Sequence, residues 1–97
     1  MARKAIVDPR VSRALRACGL SREGLLRVLT MVHHDLADDY PRHQHRRDPV
    51  QPDWFRYRRQ TLDGGTLHAF DFAVDDSTSS NHLFVNSLDH QARPLGN

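Results

Sequence analysis

The stretch that decides the fold is Trp54-Phe55-Arg56-Tyr57-Arg58-Arg59-Gln60-Thr61-Leu62, then Asp63-Gly64-Gly65, then Thr66-Leu67-His68-Ala69-Phe70-Asp71-Phe72-Ala73-Val74. On both sides of the Asp-Gly-Gly punctuation the side chains alternate with a period of two. That is the signature of two strands joined by a tight hairpin turn. Phe55 and Tyr57 point one way, while Trp54, Arg56, Arg58 and Gln60 point the other. In the second strand Thr66, His68, Phe70, Phe72 and Val74 share a face, and Leu67, Ala69, Asp71 and Ala73 share the opposite one. The polar run Asp75–Ser80 makes the next connection, and Asn81–Leu88 forms a third strand in which Leu83 and Val85 alternate with His82, Phe84 and Asn86. Short connections make the three strands antiparallel. One face packs on a cover and the other stays open.

The cover lies upstream. Lys4–Val7 is a short apolar run, a first edge strand or a lead-in. Asp8-Pro9 places an N-cap and a proline at the first helical position, and Val11, Ala14, Leu15 and Cys18 form one stripe of a helix over Pro9–Cys18, stopped by Gly19. Arg10, Arg13 and Arg16 lie off that stripe. Ser21 caps a second helix, Arg22–Ala37, with Glu23 in its first turn. Its stripe is Leu25, Leu29, Val32 and Leu36, widened by Leu26 and Val28. Gly24 inside it costs about 1 kcal/mol relative to alanine and allows close packing. Residues 38–53 carry three prolines and no apolar period, which reads as a long basic loop. The tail, residues 91–97, reads as frayed. The expected fold is α+β: a single domain over 1–97, with two N-terminal helices packed on a small three- to four-stranded antiparallel sheet.

Composition sets limits on function. The chain has 97 residues, 38% hydrophobic and 27% charged, with no run approaching the roughly 20 apolar residues of a membrane span. Met1-Ala2-Arg3-Lys4 has no apolar stretch behind it, so no secretory signal is expected. A single cysteine, Cys18, cannot pair internally, which fits a reducing cytoplasm. Charge is distributed unevenly. Thirteen of the 14 basic residues are arginine; residues 1–34 carry seven basic against two acidic, residues 42–59 six against two, and residues 60–97 one against five. A fold that gathers the arginines on one side offers a surface for an anion, and arginine suits bidentate phosphate or carboxylate contacts.

Two groups of residues carry candidate chemistry. Arg56, Arg58 and Arg59, with Trp54 beside them and Arg42, His43, His45, Arg46 and Arg47 in the loop, suit a phosphodiester backbone and a stacked base. The plainer alternative is a set of solvated charges on an open sheet face. Among the seven histidines, His68 in mid-sheet and His90 after the last strand are candidates for proton transfer. In His33-His34-Asp35 with Asp38-Asp39 the adjacent helical histidines point about 100° apart and do not chelate together, and His43-Gln44-His45 lacks an identifiable third ligand, so no metal site is expected. No Gly-x-Ser-x-Gly, phosphate loop or dinucleotide motif is present.

The order optional strand, helix, helix, three antiparallel strands resembles the RelE/ParE toxin superfamily. Trp54-Phe55-Arg56-Tyr57-Arg58 is similar to that family's second strand, Gly65-Thr66-Leu67-His68-Ala69-Phe70 to the strand after its hairpin, and His82–His90 to its last strand. The resemblance implies a toxin of a toxin–antitoxin pair that cleaves mRNA on the ribosome without metal or cofactor and is neutralised by a cognate antitoxin. The RNA 2′-hydroxyl would attack its own phosphate, with the protein positioning the backbone and stabilising charge. On that pattern Arg56 and Arg58 hold phosphates, His90 transfers the proton, and His68 and Arg58 complete the catalytic set. Three positions depart from it: Gln91 replaces a basic residue, Asp89 a glycine, and no aromatic residue follows Phe84. These departures leave room for a non-cleaving binding module of the same fold, including a topoisomerase-inhibiting branch. A third reading is a structural subunit that forms a homodimer through its apolar helix faces.

Overall fold

The computed structural model describes residues 3–43 and 46–96. Its order is β1 (Lys4–Val7), α1 (Pro9–Arg16), α2 (Arg22–Asp38), a single turn α3 (Tyr40–His43), β2 (Trp54–Asp63), β3 (Thr66–Asp75) and β4 (His82–Pro94). The hairpin closes as its sequence dictates. Gly64 and Gly65 take φ of 58° and 80°, the left-handed values that a two-residue hairpin turn demands at both central positions. Asp63 then faces Thr66, and every later pair follows from that register, Arg58 opposite Asp71 among them.

The four strands lie in the order β1-β4-β3-β2. β2, β3 and β4 are antiparallel neighbours. β1 is a true strand but runs parallel to β4, with Lys4 beside His82 and Val7 beside Val85. The sheet is therefore mixed, not antiparallel throughout. No hairpin constrains β1, because the helices and the β2–β3 pair intervene before the chain returns to it.

Both helices start as their caps require. Asp8 accepts the Arg10 amide at 2.8 Å, and the Ser21 hydroxyl accepts the Gly24 amide at 3.0 Å. α1 buries Val11 and Leu15, and Cys18 packs half-buried at the edge of the same cluster. On α2 the buried line is Gly24, Val28, Val32 and Leu36, with Leu25 and Leu29 flanking it and Leu26 exposed. These residues close on Phe55, Tyr57, Phe70, Phe72, Val74, Leu83 and Val85 of the sheet. One sheet face, the inner one, is thus covered by helices, and the outer face is open.

Two differences from the sequence reading matter for the site. Val74 stands opposite Val85 but Ala73 stands opposite Ser87, so Asn86 is an extra residue in β4 and forms a β-bulge. Leu83 and Val85 before the bulge, and Leu88 and His90 after it, all face inward. The strand also outruns its expected end: Gln91–Pro94, read as part of a frayed tail, pairs with Thr66–Ala69, and the Leu95 amide donates to the Gly65 carbonyl at 2.8 Å. Within the expected loop, α3 and an anchored strip take shape. The Asp48 amide donates to Trp54 O at 2.9 Å, the Arg56 amide donates to Arg46 O at 2.7 Å, and Arg47 bridges Phe55. Gln44 and His45, and the His43 side chain with them, lie outside the described residues.

Candidate functional site

The sheet's pleat sorts the sequence candidates onto two faces. His68 and His90 are on the inner face, at the end of the sheet beyond the main aliphatic core. Cross-strand rows run Tyr57–Phe72–Leu88, then Arg59–Phe70–His90, then Thr61–His68–Ala92. The rings form a ladder: His68 stacks on Phe70 with centroids 6.2 Å apart, and His90 lies 5.1 Å from His68 and 5.2 Å from Phe70. His68 is 3% exposed and His90 is half-buried. They share one hydrogen bond, His68 Nδ1 to His90 Nε2 at 2.9 Å.

That bond restricts the chemistry of His90. When His90 carries its proton on Nε2 and donates to His68 Nδ1, its own Nδ1 is a free base with no hydrogen-bond partner among the described residues. Burial first, and the proximity of His68 second, hold the His90 imidazole below its ordinary pKa of 6.5. It is neutral at pH 7 and able to accept a proton.

Arg59 is the cation on this face, next to Phe70 in register. Its Nε lies 3.1 Å from Met31 Sδ and 3.3 Å from Asp35 Oδ2, and the side chain is 42% exposed. Asp35, buried on α2, also accepts the hydroxyl of buried Tyr57. Burial, and then the bond to Asp35, push the Tyr57 phenol up, so it stays protonated and donates. The Tyr57–Asp35–Arg59 group fixes α2 over the sheet beside the histidine pair. Sequence reasoning weighed Asp35 only as a metal ligand beside His33 and His34 and missed this tie to Tyr57 and Arg59.

Arg56 and Arg58 occupy the outer face, opposite the histidines, and they are not free. Arg56 Nε reaches Asp71 Oδ1 at 3.0 Å, its NH2 reaches Asp89 Oδ2 at 2.9 Å, and its NH1 reaches Asp48 Oδ2 at 3.4 Å. Arg58 Nε reaches the second oxygen of Asp71 at 2.9 Å. Two guanidiniums meet three carboxylates, so the patch is not the cationic platform that the arginines alone suggest. A broad open depression of about 940 Å³ is lined by Arg58, Asp71 and Asp89 of this face and extends to Arg59, Phe70 and His90.

The remaining candidates are dispersed. Trp54 is half-buried on the outer face at the start of β2. Arg47 pairs with Asp76 at 2.8 Å, and Asp76 also accepts the Tyr40 hydroxyl at 2.6 Å. Arg46 is exposed and lends its carbonyl to Arg56. The structure thus brings His68 and His90 together with Arg59 on one face and directs Arg56 and Arg58 to the other, although Arg58, Arg59 and His90 border the same open depression. Among the described residues no group of three or more His, Cys, Asp or Glu side chains is placed to hold a metal, and no helix is long and apolar enough to cross a membrane. Comparison of the chain with family models, curated proteins and solved structures finds no match.

Proposed function

We propose that the protein is a toxin-like component of a toxin–antitoxin pair, built on a RelE/ParE-like plan and acting on RNA as a metal-independent endoribonuclease. The observation that carries the reading is the His68–His90 couple: the residue at which the resemblance puts proton transfer is paired, held neutral and half-accessible. The order strand, two helices, three antiparallel strands is consistent with that plan. In this mechanism His90 Nδ1 removes the proton of an RNA 2′-hydroxyl. The new imidazolium keeps its Nε2–H bond to His68 Nδ1, and the oxygen attacks the adjacent phosphorus while the 5′-oxygen departs. The same imidazolium returns the proton to the leaving oxygen. Arg59, on the same face and with its Nε 3.3 Å from Asp35, is the guanidinium that balances phosphate charge in this mechanism. The cognate antitoxin and the ribosome belong to this proposal as partners.

The neutralised outer arginines favour a second reading, a non-cleaving binding module of the same plan. The two are separated by purifying the protein and incubating it with ribosomes and mRNA. Cleavage that His90→Ala removes supports the nuclease. Binding without cleavage, unaffected by His90→Ala, supports the module.

A further inference from the structure

β4 has thirteen residues and β1 has four, and this inequality leaves an open edge in the middle of the chain's longest strand. β1 ends at Val7 beside Val85, and Asp8 donates to Val85 O at 3.0 Å before the chain turns into α1. Among the described residues no strand pairs with β4 on that side beyond the bulge. The direction of each backbone group there follows from the register. Leu95 donates to Gly65, so in the β3–β4 ladder the odd residues of β4 from Ser87 to Leu95 point their amides and carbonyls at β3. Leu88, His90 and Ala92 point theirs outward, with Pro94 as the next outward position, where a missing N–H costs the ladder nothing.

Unpaired edges invite strand addition, and proteins usually guard them with like charge. The β2 edge is guarded in that way. Its outward positions near Trp54 and Arg56 are occupied by the 46–48 strip, Leu62 O accepts Arg27, and Arg58 and Arg59 crowd what remains. The β4 edge carries no such guard. Its outer-face side chains read Ser87, Asp89, Gln91, Arg93, of which Asp89, Gln91 and Arg93 are complementary to their own reverse.

We infer that the protein forms a two-fold dimer through antiparallel pairing of the β4 edges, centred on Gln91, which joins the two sheets into one of eight strands. In this register Asp89 of one copy faces Arg93 of the other, twice, on the outer face. Asp89 holds Arg56 through Oδ2 but is 82% exposed, which leaves room for a second cation, and Arg93 is exposed with no ion-pair partner among the described residues. On the inner face Leu88 meets Pro94 of the second copy and His90 meets its Ala92, and exposed Leu95 gains cover near the partner strand. About six backbone hydrogen bonds close the seam. The neighbouring even register, centred on His90, would instead set the two His90 residues opposite each other and lose the Asp89–Arg93 pairs. Charge complementarity therefore selects Gln91 as the centre.

The test is sedimentation velocity of the purified full chain from low to high micromolar concentration, with circular dichroism as the check on folding. The expected result is a monomer–dimer equilibrium. Ala92→Pro removes one outward amide from each copy without touching β3 pairing, and weakens the dimer by at least about tenfold. Arg93→Asp and Asp89→Arg each weaken self-association through like-charge contact, but an equimolar mixture of the two recovers a heterodimer. A chain that stays monomeric throughout overturns the inference and leaves the edge to a strand from a different protein. A dimer that survives Ala92→Pro, or charge variants that do not recover on mixing, also overturns it. The readout is mass and not RNA cleavage, so it stands apart from the nuclease reading.

Discussion

Replacing Arg56 with alanine separates a structural arginine from a ligand-binding one. Arg56 is only 19% exposed, and its fork spans three strands' worth of chain: Asp71 on β3, Asp89 on β4 and Asp48 in the strip beside β2. The Arg56–Asp71 contact is a charge-assisted hydrogen bond between two groups about four-fifths shielded from water. Such a bond contributes about 2 kcal/mol, and its loss leaves the Asp71 carboxylate partly desolvated with only the exposed Arg58 for company. For a domain of this size each kcal/mol moves the melting temperature by about 4–8 °C, so Arg56→Ala should melt about 8–16 °C lower. Arg58 is 61% exposed and makes one bond, to a carboxylate that Arg56 also holds. Arg58→Ala should cost about 0.5 kcal/mol, or roughly 2–4 °C, and added salt should erase the difference. Thermal melts followed by circular dichroism at low and high salt measure both. If Arg56→Ala melts within about 2 °C of the parent, Arg56 is not a cross-strand tie, and its availability to phosphate must be reconsidered.

Three further outcomes follow from the same coordinates. Gly24→Ala should destabilise despite alanine's better helix propensity of about 1 kcal/mol, because a Cβ there would sit 2.8 Å from the Asp63 carboxylate. That carboxylate is pinned by the Ser21 amide and hydroxyl at 2.6 Å each, and denaturant titration should show a net loss of about 1 kcal/mol. In an NMR titration His90 should have a pKa below 6.5, and His68→Phe should raise it part of the way back, since burial remains. With the folded value below the unfolded one, this residue's contribution to stability is present above pH 6.5 and is lost as pH falls through the folded pKa. Burial opposes ionisation of Asp75, but the hydrogen bonds from Thr78 and Ser77 outweigh it and hold the pKa below 3.8. Asp75→Asn should therefore cost stability at neutral pH and flatten the acid unfolding that begins as pH falls through about 4.

The parts of the fold legible in sequence were those set by local chemistry. Two adjacent glycines fixed the β2–β3 register, caps at Asp8 and Ser21 fixed both helix starts, and alternation assigned the faces of Phe55, Arg56 and Phe70 correctly. Even the neutralisation of Arg58 was available, because pairing Asp63 with Thr66 forces Arg58 opposite Asp71. Nonlocal features were hidden. Continued without interruption, the period of β4 would put His90 with His82 and Phe84 on the outer face, beside the arginines. A single bulged residue, Asn86, reverses that phase, and nothing in Phe84-Val85-Asn86-Ser87 marks which residue bulges. Likewise Asp48 and Asp89 reach Arg56 from two separate segments, and the parallel docking of β1 depends on a partner more than seventy residues away.

The most direct measurement is RNA integrity and growth in a bacterial host induced to express the protein and two variants. If His90 transfers the proton, the parent arrests growth and fragments mRNA, His90→Ala abolishes both effects, and Arg58→Ala, on the opposite face, retains them. Fragmentation that persists in His90→Ala, or that vanishes in an equally expressed and folded Arg58→Ala, would contradict an inner-face site.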